Sequence, residues 1–179
     1  LNDLGRYLLD RFKGNFAALA EAAESSAARL VQLLQEMPYF NDVEPYGGIE
    51  VPFYKRAQIT AADLSVAFEG RKWGLFRDLD QLTIFADNLV PHVLRMDGVL
   101  IYAESLIERI AAGTLIPAGS AEEVEIRASA VHAVELIKNE IRKSGRTITS
   151  PDLDYFLWNR GQQPHYKAVP RHRTRCVFY

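Results

Sequence analysis

The sequence of 179 residues holds a single cysteine, Cys176. One cysteine excludes an internal disulfide framework and cannot alone build a thiolate metal site. It fits a reducing compartment, and a cytoplasmic protein is expected. No apolar run reaches the roughly 20 residues that a membrane-crossing helix needs. Neither sign of charge dominates. The formal net charge is −2, which gives no global pull toward nucleic acid or an anionic membrane. The expectation is therefore no membrane and no nucleic-acid partner. The four histidines, His92, His132, His165 and His172, show no metal-binding spacing. No glycine-rich phosphate loop exists, and Gly47-Gly48 reads as a turn. No serine stands in a nucleophile-elbow context. Neither a metal nor a cofactor is expected. The sequence opens on Leu1 with a helical pattern at once, so no signal peptide can be read. A preceding segment is expected.

What is present is a succession of helical signals, and 48% apolar content is ample for a core. Leu4, Leu8 and Phe12 form a helical stripe. "FAALAEAAESSAARLVQLLQEM" reads as one long helix stopped before Pro38. "PYFNDVEPYGGIEVPFYKR" reads as a loop, with at most a short extended segment at Ile49–Phe53. Thr60 and Asp63 suggest a helix start. Further helices are expected over Leu79–Asp87, after it with Pro91 in the first turn, and over "AESLIERIAAG". Ser120 with Glu123 reads as a capping box for a helix that ends at Gly145. Ser150 reads as the cap of the next, with Pro151 at its first position. The class is all-α, with little or no β, in one helical domain over 1–179.

Three stretches carry possible chemistry. "FYKRAQI" sets Lys55 and Arg56 beside aromatics at a helix start, where cations oppose the helix dipole and suggest an anionic ligand. "LTIFADNLVPHVLR" places one carboxylate, Asp87, among apolar residues. Carboxylates are rarely buried without a partner, so Asp87 is either a cap at a helix junction or a group held for chemistry. "RHRTRCVFY" gathers Arg171, His172, Arg173 and Arg175, and its apolar ending argues that the tail docks. Glu125 and Arg127 read as a structural pair.

Taken together, "FYKRAQI", "IFADNLVPHVL", "EVEIRA", "DYFLW" and "HRTRCVFY" resemble the queuosine salvage protein family, in order and spacing along the whole chain. Any one motif is weak; five in order are specific. Asn88 and Leu89 stand where the family commonly has an aromatic and an arginine. The resemblance covers the family's C-terminal part. It implies a mainly helical fold like that of the helix–hairpin–helix DNA glycosylases. It also implies hydrolysis of the N-glycosidic bond of queuosine 5′-monophosphate, with release of queuine for tRNA modification.

On that resemblance Asp87 is the catalytic candidate. A carboxylate beneath the anomeric carbon stabilises the oxocarbenium-like charge of glycosidic cleavage and can orient water. The apolar Ile84, Phe85 and Leu89 would strengthen that interaction. Lys55, Arg56, Arg173 and Arg175 are candidates for the 5′-phosphate, with Lys55 ranked above Arg56, and His172 joins the binding set. Lys55 could alternatively pair with Asp87. Tyr54 and Phe85 could face the base. Asp154, Tyr155 and Trp158 share a motif that is either pocket wall or core, with core favoured; Asp154 is kept as a substrate-binding candidate. Two other readings stay open: a DNA-glycosylase-like module that binds nucleic acid without this activity, and a scaffold in which Asp87 is only a cap.

Overall fold

The structure, a computed structural model, describes residues 2–179. The chain divides into two compact units. One comprises the residues up to Val43, with Phe53–Phe85 and Phe178; the other comprises Glu44–Pro52, Ala86–Val177 and Tyr179. Among the described residues, no helix is long and apolar enough to cross a membrane.

The first unit is built from α1 (Asn2–Phe12), α2 (Phe16–Ala22), α3 (Ala27–Leu34) and α4 (Lys55–Ala67). Leu8, Leu19, Leu30 and Leu34 bury their side chains together with Ala23, Ala27, Ala57 and Ala61. The small alanines let the helices approach closely, and removal of this apolar area from water drives the packing.

The single long helix expected from Phe16 onward is two helices. Glu24 and Ser25 adopt positive φ, 52° and 61°, which no continuous helix tolerates. Ser26 then caps α3, its hydroxyl accepting from the Arg29 N–H at 3.1 Å. Asp78 reinforces this start, taking the Ala27 N–H at 2.6 Å and the Ser26 hydroxyl at 2.7 Å. Burial works to raise the Asp78 pKa, but these hydrogen bonds outweigh it and hold the carboxyl below its usual range.

α4 also begins earlier than Thr60. Asp42, fully buried, takes the Phe53 and Tyr54 N–H groups on its carbonyl and the Lys55 N–H on its carboxylate at 3.2 Å. Thr60 sits inside the helix and donates to the Arg56 carbonyl. Leu79–Asp87 is not a helix: only a 3₁₀ turn forms, at Leu79–Gln81, and the chain then runs irregularly through Asp87. Gln58 satisfies part of this irregular backbone, accepting from Thr83 N–H at 2.8 Å.

The second unit holds the exception to the all-α expectation. β1 (Val43–Tyr46) and β2 (Ile49–Pro52) pair as a two-stranded sheet. Gly47 and Gly48, at φ of 58° and 85°, supply the two positive-φ positions that a tight hairpin turn requires. The molecule is thus mainly helical rather than purely α.

The helices of this unit are α5 (Val90–Met96), α6 (Glu104–Ala111), α7 (Ala121–Lys143), α8 (Ser150–Gly161) and α9 (Pro164–Lys167). α5 is sunk among α7, α8 and α9, with Val90, Val93 and Leu94 fully buried. Ser120 caps α7 as expected, but Glu123 reaches the Gly119 N–H rather than that of Ser120. Thr149, not Ser150, caps α8, in a reciprocal box with Asp152. Ser150 is buried instead and bonded to Lys138 and Glu135.

Candidate active site

Asp87 follows the unit boundary by two residues and introduces α5. Its Oδ1 accepts the Leu89 N–H at 2.8 Å and the Val90 N–H at 3.0 Å. These are among the N–H groups that a helix start leaves unsatisfied. The cap reading of this acid is therefore correct for one oxygen. Oδ2 takes no hydrogen bond among the described residues, and the side chain is half-buried.

That carboxylate lies on the wall of a cleft of about 900 Å³. Also on the wall are Asn88 and Leu89 from the Asp87 turn, Trp158 and Gly161 from α8, Lys167 from α9, and Arg171 and Arg173 from the tail. The volume suits a nucleotide-sized ligand, since such pockets run to roughly 300–1,000 Å³. One carboxylate, three cations and an indole face the same space.

The tail docks, as its apolar ending implied. The Ile116 N–H donates to the Arg173 carbonyl at 2.8 Å, tying the tail to the strand-like Leu115. Arg95 donates to the Pro170 carbonyl at 3.0 Å. His92 is buried, and its Nε2–H donates to the Tyr166 carbonyl at 2.8 Å while Nδ1 accepts from Arg95. Burial pushes the His92 pKa down, so the neutral imidazole braces α9 against α5. Asp97 completes the brace. It accepts two bonds from Arg160, at 2.9 and 3.1 Å, and one from the Tyr166 hydroxyl at 2.6 Å. The Arg160 bonds hold its carboxyl below the usual range. Backbone bonds thus fix the tail and leave the Arg173 side chain exposed on the cleft wall.

Behind the cleft lies a buried polar cluster. Arg127 and Glu123 pair at 3.3 Å, both about 1% exposed. Glu123 takes the Tyr179 hydroxyl at 2.6 Å. The Arg127 partner is thus Glu123, one helical turn away, and not Glu125, which instead accepts from the Tyr46 hydroxyl. His172 is buried against this cluster, its ring edge-on to Tyr179. Burial and the neighbouring Arg127 cation lower its pKa to about 4.

The other sequence candidates divide between the units. Arg175 is exposed and does not line the cleft. Asp154 is buried within α8, whereas Tyr155 and Trp158 of the same motif are exposed, which corrects their assignment to the core. Lys55, Arg56, Tyr54 and Phe85 belong to the first unit. There the Asp42 carboxylate supplies an anion at the α4 start, which accounts for Lys55 and Arg56 standing against the helix dipole. Arg56 stacks on Tyr39 at 3.9 Å and donates to the Phe178 carbonyl at 3.3 Å. Tyr54 holds a left-handed conformation, φ 46°. Arg171 stood in the sequence beside the chosen candidates, and Lys167 gave no signal of its own. Lys167 lies on the braced α9, and Arg171 follows the Pro170 carbonyl that Arg95 holds.

Residues 1–179 match the family model described as queuosine salvage protein. The chain belongs to that family. A relative in Sphaerobacter thermophilus, named queuosine 5′-phosphate N-glycosylase/hydrolase, is 44% identical over 180 residues, covering 100% of this chain and 56% of its own length. Proteins of the same name in Bos taurus and Dictyostelium discoideum are each 38% identical, with the same shares covered. The chain thus spans about half the length of the curated relatives it matches.

Proposed function

We propose that this chain carries the reacting carboxylate of a nucleotide N-glycosidase that cleaves queuosine 5′-monophosphate and releases queuine for tRNA modification. The observation that supports it most is Asp87: one oxygen fixed by two backbone N–H groups, the other without a hydrogen bond among the described residues, on the wall of a cleft with three cations. Family membership and the relatives' names support this choice of substrate.

The chemistry follows from charge. As the glycosidic bond lengthens, positive charge grows on the sugar. Oδ2 of Asp87 stabilises it electrostatically and orients the attacking water. Queuine is a 7-deazaguanine, so the N7 protonation route of ordinary purines is missing. The leaving base departs with charge spread over its ring and carbonyl, and hydrogen bonds there carry more of the load. Arg173, Arg171 and Lys167 are the phosphate candidates of this cleft; arginine offers bidentate bonds and lysine a point charge. Trp158 gives the base a surface to stack on.

The likeness to helix–hairpin–helix DNA glycosylases, a cytoplasmic setting and the lack of a nucleic-acid partner belong to the same reading. The mainly helical make-up, the single cysteine and the net charge of −2 support them in turn.

The deciding experiment compares the purified chain with Asp87→Asn, incubated with queuosine 5′-monophosphate and followed by chromatography of free queuine. Asn keeps the shape and removes the charge. A fall of about 10²–10³-fold or more is expected. Near-equal rates remove Asp87 from the mechanism.

A further inference from the structure

We infer that Arg127 is a positioning residue for Asp87, acting through the carbonyl oxygen of Ala86. The inference rests on the reading of Asp87 as the reacting carboxylate.

Arg127 lies on α7 with about 1% of its surface exposed, and its Nε donates to the Ala86 carbonyl at 3.0 Å. Ala86 is itself about 1% exposed and sits in the irregular stretch before α5. A buried carbonyl outside regular structure needs a donor from elsewhere. A guanidinium meets that need with a fixed planar fork.

The arginine is in turn held. Glu123 pairs with it at 3.3 Å, and the Tyr179 ring lies 5.1 Å from the guanidinium carbon. Both Glu123 oxygens are occupied: Oε1 by the Tyr179 hydroxyl at 2.6 Å and Oε2 by the Gly119 N–H at 3.3 Å. Buried ion pairs are often replaceable by apolar side chains without loss of stability. Stability alone is therefore a poor account of this one. Its directed product is the bond to Ala86.

The next residue is Asp87. Its backbone is gripped from the Ala86 side by Arg127, and its side chain from the α5 side by the Leu89 and Val90 N–H groups. Catalytic geometry tolerates little error, since a displacement of about 1 Å can cost roughly 10²-fold. Tyr179, Glu123 and Arg127 form a line of contacts that ends at the Ala86 carbonyl, the peptide group that leads into the acid.

Arg127→Lys and Tyr179→Phe test this. The lysine retains charge and loses the planar donor. The phenylalanine retains the ring and loses only the bond to Glu123. Amide hydrogen exchange at Leu89 and Val90 reads the grip on Asp87, with Val93 inside α5 as internal reference. Arg127→Lys should speed exchange at Leu89 and Val90 by about tenfold, with a smaller effect from Tyr179→Phe, and leave Val93 unchanged. Base release from queuosine 5′-monophosphate should lose kcat with little change in KM.

Unchanged exchange at Leu89 and Val90 in folded Arg127→Lys overturns the inference, as does faster exchange with kcat intact. If Arg127→Lys does not fold, Tyr179→Phe decides on the same readouts. Failure of the hydrolase reading looks different: the unsubstituted chain and Asp87→Asn release equally little base. Exchange then still decides whether Arg127 holds Asp87.

Discussion

Gly161 of α8 lies so close to Leu89 that a Cβ built on it would stand 2.8 Å from Leu89 Cδ1 and 2.9 Å from Val93 Cγ2. Both neighbours are buried and cannot step aside into solvent. Gly161→Ala should therefore overpack the α5–α8 contact and destabilise by about 1–3 kcal/mol. Thermal melting should show a drop of several degrees. Because Leu89 and Gly161 both line the cleft, base release should fall more than the melting shift explains. An unchanged melting temperature would mean that the helices separate freely here.

Asp78 gives a test confined to the first unit. Its carboxylate holds the Ser26 hydroxyl and the Ala27 and Ala28 N–H groups at the start of α3. Asp78→Ala should cost about 0.5–2 kcal/mol, the range for a lost helix cap. The folded pKa lies below the ordinary value of 3.8. The stabilisation is thus fully present above that value and lost as pH falls through the folded pKa. Denaturant titrations of both proteins should converge in strong acid and separate above it.

His172 sets a second pH dependence. Its pKa is about 4 in the folded chain against an ordinary 6.5. On acidification the unfolded chain takes up the proton first. Stability from the neutral imidazole is therefore whole above about pH 6.5, declines as pH falls toward about 4, and is level below. The full decline is roughly 3 kcal/mol. His92, lowered in the same direction, adds to the slope. His172→Gln should flatten stability against pH across this window without removing the His92 share. A wild-type curve that is flat between those values would place a charged imidazole in the fold.

The cations of the cleft separate phosphate binding from docking. Arg173→Ala and Arg171→Ala should reduce kcat/KM for the nucleotide about tenfold or more, and much less for the unphosphorylated nucleoside. Neither should move the melting temperature much, since both side chains are exposed. Arg56→Ala should do the reverse, lowering stability through its lost contacts with Tyr39 and Phe178. Equal losses on both substrates from Arg173→Ala and Arg171→Ala would put the phosphate elsewhere.

Much of this was legible in the sequence, for identifiable reasons. The long helix α7 announced itself by its Ser120 cap and its charge gradient, which are local features. α2 and α3 look like one helix in sequence because nothing in "AESSAA" forbids helix; only the left-handed Glu24 and Ser25 break it. The α4 start was displaced because its cap is Asp42, thirteen residues upstream of Lys55 and brought in by tertiary structure. The hairpin reads as loop in sequence because its strands are four residues each, too short for an alternating pattern. Asp87 was legible because a lone acid in an apolar run is conspicuous. Lys167 is not, since its place on the cleft depends on the bond that Tyr166 accepts from His92 and the one that it donates to Asp97.

The two N–H bonds on Asp87 Oδ1 also gear the acid to α5. A carboxylate on a free loop would wander on its own; this one travels with a buried helix. A small roll of α5 would swing Oδ2 across the cleft like a crank on its shaft. Glutamate would be a poor exchange, because its extra methylene changes the throw while leaving the charge. The helix packing around Val90 and Val93, which do not line the cleft, therefore tunes where the acid points.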